Sequence, residues 1–380
     1  MNDRDRAFHL LRRIDREGAY ASLLLQHETG FVRTLVLGVL RWRLRLDDAI
    51  EQLAERRIAK LDPNVVVILR IGIYQLMFTD VAPYAAVSES VDLAHRYAKR
   101  ARGFVNAILR RATERIPEPR NLAARTSHPD WLLRRWSKRY GEERAIRIAE
   151  ANQELSYPDV FGGSVGTPSK FVEGMFKLTG SSADVEGHAM DEGSAVIADL
   201  AAATSKDILD LAAAPGGKTI VMRARGASVV SNDISISRLR RLEGRTVVSD
   251  GRRPPFRRKF STVLLDAPCS ATGTIRKNPE LKWRLHESDI PRFAELQREL
   301  LASALQLAGD TVVYSTCSLE PEENDEVVQN VLASQKDFER VDAGFFANDE
   351  VRKWIEDGVL RLTPDSGTDG FTAFVLQRIN

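Results

Sequence analysis

Apolar residues recur at three- and four-residue spacings through the first 120 residues of the chain. The segments LLRRID, TLVLGVLRWRLRLDDAIEQLAE, VVVILRIGIYQLMF and GFVNAILRRATERI all show this period. The pattern predicts amphipathic helices. Pro63 and Pro83 mark two helix starts, because proline is favoured in the first helical turn. Since no segment here alternates with period two for long, we expect an all-α domain over residues 1–120.

The pattern weakens between residues 121 and 185. The stretch at 112–130, ATERIPEPRNLAARTSHPD, is polar, contains three prolines and is typical of a linker. A helical stretch rich in Arg and Lys follows, WLLRRWSKRYGEERAIRIAEANQE, and VFGGSVG predicts a short strand and a turn. We therefore assign residues 121–185 to a linker and a small connecting subdomain.

From about residue 186 to residue 380 short apolar runs alternate with helical stretches. The runs ILDLAA, SVVSND, TVVSD, STVLLDAP and TVVYSTCS each end in small or acidic residues. Such alternation predicts an α/β domain in which helices cover both faces of a parallel sheet. Ligands of such sheets bind at the carboxyl ends of the strands. The acidic residues and both cysteines lie at these predicted strand ends.

The composition and the apolar runs also predict where in the cell the protein is located. The chain has 43% hydrophobic and 28% charged residues, as globular proteins do. No apolar run reaches the ~18 residues that a membrane span needs, and the charged N-terminus MNDRDRAFHLLRRIDREG lacks a signal-peptide core. These observations predict a cytoplasmic protein without a membrane partner, and no obligate protein partner is evident.

Positive charge is concentrated in the predicted helical domain. Residues 1–120 contain 21 Lys and Arg against 15 Asp and Glu, a net charge of +6, which leaves −4 for the remainder. Most of these cations are arginines, whose planar guanidinium pairs with two phosphate oxygens. The bias favours a nucleic-acid partner, although solvated helix faces would produce a similar excess.

A small-residue turn follows the first predicted strand of the α/β domain, in ILDLAAAPGGKTIVMRA. The strand ends near Asp210 and a helix begins near Lys218. Alanine and glycine let a ligand approach the backbone, and the free N–H groups of the helix start would face it. Ala212 stands where a P-loop requires glycine, five residues before Gly217, and a GxGxxG motif is also absent. The turn therefore suits a neutral or cationic nucleoside better than a polyphosphate.

Three aspartates end successive predicted strands behind this turn. They are Asp233 in SNDIS, Asp250 in VVSDG and Asp266 in LLDAPCS. A carboxylate after the second strand can accept both hydroxyl protons of a ribose, and one after the third can accept from an adenine amino group. A single aspartate after a strand is commonly a cap. The three in this order favour a nucleoside site.

The two cysteines, Cys269 in Asp-Ala-Pro-Cys and Cys317 in Ser-Thr-Cys-Ser, follow β-type apolar runs. A metal site needs more thiol or imidazole ligands than two, so we expect no metal. A thiolate beside a nucleoside site indicates covalent catalysis on a base, whereas buried structural cysteines are the alternative. Attack of a thiolate on carbon 6 of cytosine makes carbon 5 nucleophilic toward a sulfonium methyl group. A carboxylic acid near ring nitrogen 3 would stabilise the developing charge.

At these residues the chain resembles the Sun family of RNA 5-methylcytosine methyltransferases. The matching segments are DLAAAPGGKT, LLDAPCSATGTIRKNPELKW, YSTCSLEPEENDEVV and DGFTAF. In the N-terminal half, LRIGIYQLMF, APYAAVSESVDLA and GFVNAILRR resemble the helical RNA-binding domain of the antitermination factor NusB. The resemblance covers nearly the whole chain. It implies a Rossmann-like S-adenosylmethionine-dependent methyltransferase domain preceded by an all-α NusB-like domain, with RNA, 16S rRNA or a small-subunit precursor, as substrate.

The resemblance also implies roles for individual residues. The nucleophile of this RNA family lies in the Thr-Cys-Ser motif, here Cys317, and the Pro-Cys cysteine, here Cys269, assists product release. DNA cytosine methyltransferases use a Pro-Cys nucleophile instead, so the residues alone leave the two roles open. Asp266 and Lys218 complete the implied catalytic set. The implied cofactor-binding residues are Ala212, Ala213, Ala214, Pro215, Gly216, Gly217, Lys218, Asp233, Asp250 and Asp266.

The chain differs from the family pattern in one segment near the predicted adenine pocket, and two other functions are considered beside RNA methylation. The segment SRLRRLEGRTVV between Asp233 and Asp250 is shorter than in relatives and barely accommodates a full crossover helix, so the adenine pocket would be more open. One alternative is a methyltransferase of another RNA, DNA or a small molecule. The other is an RNA-binding protein that keeps the fold without activity. Intact Cys269, Cys317 and Asp266 argue against the second, and the arginine-rich front argues against a small molecule.

Overall fold

A computed structural model describes residues 2–180 and 185–379. Its helices are α1 (Asp3–Glu17), α2 (Ala21–Leu24), α3 (Gly30–Arg41), α4 (Arg43–Ala54), α5 (Pro63–Phe78), α6 (Pro83–Tyr97), α7 (Arg102–Glu114), α8 (Leu122–Thr126), α9 (Asp130–Tyr140), α10 (Glu142–Ala151), α11 (Glu192–Thr204), α12 (Gly217–Ala224), α13 (Ile236–Leu239), α14 (Leu281–Arg284), α15 (Ile290–Leu307), α16 (Asp325–Ser334) and α17 (Asp349–Arg352).

The strands are β1 (Asp159–Phe161), β2 (Thr167–Pro168), β3 (Met175–Lys177), β4 (His188–Met190), β5 (Asp207–Asp210), β6 (Ser228–Asp233), β7 (Thr246–Val248), β8 (Phe260–Asp266), β9 (Ala308–Thr316), β10 (Phe338–Val341), β11 (Ile355–Glu356), β12 (Val359–Leu362) and β13 (Phe371–Arg378). None of the helices in the described part of the chain combines the length and apolar composition that crossing a lipid bilayer requires.

The chain divides into two compact units. Unit 1 comprises Met1–Gln153 and Asn278–Arg284, and unit 2 comprises Glu154–Lys277 and Leu285–Asn380. The predicted connecting region, residues 121–185, is therefore divided between the two units, because α8 to α10 belong to unit 1 and β1 to β3 belong to unit 2. The polar, proline-containing linker stretch itself contains the short helix α8, capped by the side chain of Asn121. The three-part division of the chain stays a prediction.

Unit 1 is helical, as the periodicity predicts. Asp62 caps α5 by accepting from the N–H groups of Asn64 and Val65, and Pro63 takes the first helical position. Helix α5 is buried along most of its length, and its apolar residues form one core with those of α1, α3, α4, α6 and α7.

The later segment Asn278–Arg284 completes unit 1. Lys282 is 2% exposed and donates from Nζ to the carbonyl oxygens of Arg41 and Ser127, at 2.8 Å each. The indole nitrogen of Trp283 donates to the carbonyl oxygen of Leu40 at 2.7 Å. Burial, with the nearby charge of Arg41, lowers the pKa of Lys282 well below its ordinary value. The segment thus supplies hydrogen bonds to backbone carbonyls near the end of α3.

Unit 2 is built on a mixed sheet with strand order β11-β12-β13-β9-β8-β5-β6-β7, and β10 also pairs with β13. The strands from β7 to β9 in this order are parallel, as predicted. The predicted parallel pairing does not extend to β10 to β13, which pair antiparallel with their neighbours. A smaller antiparallel sheet of order β2-β3-β1-β4 precedes it.

Alternate strand residues face two separate cores, as the two-residue period of a strand requires. Ile208, Val229 and Leu264 pack with the apolar side chains of α11 and α12. Leu209 and Val263 pack on the other face with those of α15 and α16. Both faces are covered, so the carboxyl edge of the parallel strands is the place where polar side chains gather.

Candidate active site

The two sulfurs lie together at this edge. Strands β8 and β9 are parallel neighbours, with Asp266 opposite Ser315. Cys269 follows the end of β8 and Cys317 follows the end of β9, and their Sγ atoms are 3.3 Å apart. Both side chains are half-buried. The structure therefore brings together the two cysteines that are 48 residues apart in the sequence.

The surroundings of Cys269 favour its protonated form. The hydrogen bond with Cys317 raises the pKa of Cys269 well above its ordinary value, and burial and the charges of Cys317, Glu323 and Asp266 act in the same direction. Cys269 thus remains a protonated thiol at neutral pH. A protonated thiol can donate to a neighbouring sulfur, whereas the thiolate is the nucleophilic form.

Lys218 and Asp266 form an ion pair beside the sulfurs. Lys218 Nζ donates to Asp266 Oδ2 at 2.5 Å, and the hydroxyl of Ser315 donates to Asp266 Oδ1 at 2.8 Å. Burial alone would lower the pKa of Lys218, but the charges of Asp266 and Cys317 raise it above its ordinary value. Lys218 Nζ also lies 5.3 Å from the ring centroid of Phe371 in the DGFTAF segment. A positive charge held by Asp266 therefore interacts electrostatically with the Cys317 sulfur.

The small-residue turn, Ala212 to Gly216, runs from β5 to α12. Ala214 N–H donates to Asp233 Oδ2 at 3.0 Å, which links the turn to the end of β6. Gly216 has φ +110°, and a Cβ there would lie 2.7 Å from Leu242, so glycine is required. Helix α12 begins at Gly217 without a side-chain cap. Its free N–H groups and the Asp233 carboxylate fit an adenosyl group with a carboxylate tail.

Asp233 and Asp250 end neighbouring strands but have different surroundings. Asp233 is 5% exposed, and the side chain of Ile234 next to it is 67% exposed, which leaves an apolar surface beside the carboxylate. The carboxylate of Asp250 accepts from the backbone N–H and the guanidinium of Arg252, and these bonds lower its pKa. Asp250 lines an open pocket that also contains Arg253 and Glu299.

The connection between these two strands is short, as its sequence predicts. It contains the single-turn helix α13 and the three-residue strand β7, where Thr246 to Val248 pair with Ser231 to Asp233. The side chain of Val248 is 49% exposed. The surface at the end of β7, beside Asp250, is therefore open.

Three buried polar residues at the same edge were not among the residues predicted from the sequence. Asp210 is 1% exposed and accepts from the hydroxyl of Thr219 at 2.6 Å. Glu323 and Asn324 are also buried and hydrogen bond to residues beside both cysteines. Asp210 ends a predicted strand and the other two lie in PEEND within a matched segment. Their positions gave a signal, but charged loop residues are usually exposed.

A Rossmann-like sheet with a nucleoside turn at its carboxyl edge, and with reactive side chains beside that turn, defines an S-adenosylmethionine-dependent methyltransferase. Family models agree with this class. A model described as 16S rRNA methyltransferase RsmB/F matches residues 197–377, and the NusB family model matches residues 1–114. The chain belongs to the RsmB/F family of rRNA methyltransferases, with S-adenosylmethionine as methyl donor and RNA as substrate.

Individual relatives support this assignment. Ribosomal RNA small subunit methyltransferase B of Shigella flexneri serotype 5b (strain 8401) is 33% identical over 372 residues, covering 83% of this chain and 85% of that protein. The probable ribosomal RNA small subunit methyltransferase B of Bacillus subtilis (strain 168) is 30% identical over 434 residues, covering 97% of each. The crystal structure of PH0851 has a TM-score of 0.76 at 23% identity, covers 100% of this chain and 99% of that one, and shows the fold alone.

Proposed function

We propose that the protein transfers a methyl group from S-adenosylmethionine to carbon 5 of a cytosine in 16S rRNA, through a covalent bond between Cys317 and the base. The observation that carries this proposal is the placement of two sulfurs 3.3 Å apart beside the Lys218–Asp266 ion pair. Cytosine-C5 chemistry needs a nucleophile and a means of expelling it again, and two adjacent thiols supply both functions.

The attack step depends on the thiolate of Cys317. Lys218 stabilises that thiolate, because its ammonium group is held by Asp266 and interacts electrostatically with the Cys317 sulfur. The thiolate adds to carbon 6 of the cytosine, and electron density rises at carbon 5. Asp266 lies beside both Lys218 and Ser315, where it orients the ammonium group toward the developing charge.

S-adenosylmethionine supplies the sulfonium methyl group when it is bound. The backbone of Ala212–Gly217 and the carboxylate of Asp233 would hold its adenosyl and carboxylate groups, with Asp250 on the adenine side. After methylation the carbon-5 proton passes to solvent, the electrons of that C–H bond re-form the double bond between carbons 5 and 6, and the Cys317 thiolate is expelled. The protonated thiol of Cys269 hydrogen bonds to the departing sulfur and thereby promotes release.

The Cys317→Ala variant tests the nucleophile. We expect turnover to fall on the order of 10⁴-fold or more, since the covalent route is removed. Binding of S-adenosylmethionine, measured by calorimetry, should remain within twofold of the parent. Methylation of RNA by Cys317→Ala at the parent rate would contradict the assignment.

The Cys269→Ala variant tests release. We expect a covalent protein–RNA adduct that survives a denaturing gel, because the methylated base can no longer expel Cys317 efficiently. The double variant Cys269→Ala/Cys317→Ala is the matched control and should give no adduct. Absence of a shifted band with Cys269→Ala would count against the release role.

For RNA capture we propose exposed cations of unit 1. Lys99, Arg100 and Arg102 are exposed near the start of α7. Arg96 is also exposed, but its guanidinium already forms an ion pair with buried Asp5.

Bisulfite mapping of 16S rRNA from cells with and without the gene would identify the methylated cytosine. An unchanged map would contradict 16S rRNA as the substrate.

A further inference from the structure

The carboxylate of Glu323 hydrogen bonds to both cysteine loops. Glu323 is 0% exposed in the turn Pro321–Glu323. Its Oε1 accepts from the backbone N–H of Ser270 at 2.8 Å, and its Oε2 accepts from the hydroxyl of Ser318 at 2.5 Å and from the hydroxyl of Ser270. Ser270 follows Cys269 and Ser318 follows Cys317. One buried carboxylate is therefore shared between the two loops that carry the sulfurs.

Further hydrogen bonds fix the preceding residues of each loop. Gln297 donates from Nε2 to Glu323 Oε1 at 3.0 Å and to the carbonyl oxygen of Pro268 at 2.8 Å. On the other loop, Asn324 accepts from the hydroxyl of Thr316 at 2.7 Å and donates to the carbonyl oxygen of Ser318 at 2.9 Å. Both cysteines are thus held on each side by a network with Glu323 at its centre.

Four hydrogen bonds to one buried carboxylate restrict its position strongly. Hydrogen bonds to a charged acceptor are stronger than neutral ones, and a buried charge without such donors is costly. Because Ser270 and Ser318 share Glu323, and their hydroxyl oxygens are also 3.1 Å apart, neither loop can shift without breaking bonds of the other. The separation of the two sulfurs is consequently tied to this one side chain.

We infer that Glu323 is a positioning residue that keeps the thiol of Cys269 beside the sulfur of Cys317. This inference deepens the proposed function, on which its catalytic meaning rests. In the proposed function, release of the base needs Cys269 to remain in contact with the sulfur of Cys317. Glu323 couples the two loops, so the sulfur that leaves the base meets the thiol that assists its departure.

Chemical cross-linking of the two thiols measures this positioning without RNA. Diamide, a diazene oxidant, takes two electrons and two protons from the Cys269 and Cys317 thiols, so that one S–S bond forms and the diazene becomes a hydrazine. The chain has two cysteines, so intact mass falls by two hydrogens and both free thiols are lost. The rate of this intramolecular step reports how often the two sulfurs meet.

The test compares Glu323→Gln with the parent protein. Glutamine keeps the size of the side chain but replaces one acceptor oxygen with a donor, so bonds to one loop are lost. We expect cross-linking to slow by about tenfold, the effect of losing one charge-assisted hydrogen bond. Removing the negative charge would by itself lower the pKa of Cys269 and speed oxidation. A slower rate therefore reports geometry, and an unchanged or faster rate overturns the inference.

The matched control is Glu326→Gln, because Glu326 is exposed three residues further along the chain. It should cross-link at the parent rate. If Glu323→Gln does not fold, Ser270→Ala and Ser318→Ala each remove one hydroxyl donor to Glu323, and each should slow cross-linking by about threefold. Parent rates in both serine variants, or a parent protein that does not cross-link, would overturn the inference.

A second readout links positioning to catalysis. With RNA and S-adenosylmethionine, Glu323→Gln should accumulate the covalent adduct expected of Cys269→Ala, while the affinity for S-adenosylmethionine stays unchanged. If cross-linking slows but neither variant gives an adduct, the proposed covalent function fails and the positioning role of Glu323 stands. If Cys269→Ala gives the adduct and Glu323→Gln cross-links at the parent rate, the proposed function stands and the positioning role fails.

Discussion

Asp210 shows how burial sets the charge of a single side chain at the end of β5. One of its carboxyl oxygens accepts from the hydroxyl of Thr219, whereas Oδ1 is buried and, within the described residues, accepts no hydrogen bond. Burial raises the pKa of Asp210 to about 7, with the charges of Asp266 and Asp233 contributing and Thr219 and Lys218 opposing. Ionisation of this group therefore opposes folding.

This arrangement predicts a pH-dependent stability. A carboxyl group with a pKa of 3.8 when unfolded and about 7 when folded stabilises the protein fully below about pH 4. That contribution, at most on the order of 4 kcal/mol, is lost as the pH rises through about 7. In Asp210→Asn, the free energy of unfolding relative to the parent should rise between about pH 4 and about pH 7, as urea denaturation would show.

The control for this experiment is Asp349→Asn, since the side chain of Asp349 is 91% exposed. Its stability difference from the parent should not change across the same pH range. A flat difference for Asp210→Asn as well would show that the carboxyl group is ionised in both states, which would contradict the raised pKa.

At the residue scale, the sequence predicted the candidate catalytic side chains better than the side chains that position them. The placement of Cys269, Cys317, Asp266 and Lys218 together follows from strand ends that meet at one edge. Their roles remain predictions. Glu323 could not be predicted as a shared acceptor, because its partners are brought to it by the pairing of β8 with β9.

Among the elements, α3 and α5 approach closely at a glycine. A Cβ on Gly38 would lie 1.9 Å from Cζ of Tyr74, whose ring is 4% exposed and packs on the ring of Phe78. A larger residue at position 38 would displace the ring or separate the helices. Glycine therefore sits inside a helix here in spite of its low helix propensity.

Gly38→Ala should lower the free energy of unfolding by about 1–3 kcal/mol, the usual cost of overpacking a core. Urea denaturation followed by circular dichroism would measure it. Gly30→Ala is the control in the same helix, because a Cβ there meets nothing within 4 Å. It should leave stability unchanged or slightly raised. Equal stability of the two variants would refute the close approach.

Helix positions were largely predictable, because the three- and four-residue spacing of apolar residues can be read from a single sequence. The direction of the strands could not be predicted in this way. The runs that form β12 and β13 are short and apolar like those of the parallel strands, and nothing in VLRL or FTAFVLQR specifies antiparallel pairing. Direction depends on the connections between strands, which the spacing of apolar residues does not encode.

At the scale of the whole molecule, the chain returns to unit 1 at Asn278–Arg284, between the two segments that make up unit 2. The segment LLDAPCSATGTIRKNPELKW is one motif in the sequence, but its last residues belong to unit 1. A lysine in a polar segment is normally exposed. Only the packing shows that Lys282 is buried and donates to two carbonyl oxygens.

Lys282→Met should therefore weaken unit 1. Methionine retains an apolar stem but cannot donate to the carbonyl oxygens of Arg41 and Ser127, so we expect a loss of about 1–3 kcal/mol. Hydrogen exchange should show faster exchange in α3, with little change in the strands of unit 2. The exposed residue Lys60 provides the control Lys60→Met, which should leave exchange unchanged. If α3 exchanges at the parent rate in both variants, the result would argue against the role of Lys282.

The return of Asn278–Arg284 also orders events during biosynthesis. A polypeptide leaves the ribosome from its N-terminus, and domains commonly fold as they emerge. The helices of α1 to α10 are synthesised first, but the residues that satisfy the carbonyls of Arg41 and Ser127 are translated more than a hundred residues later. The nascent N-terminal unit must therefore remain incomplete until translation has passed β8 and the segment Asn278–Arg284 has been made, so α1 to α10 cannot complete their packing by themselves.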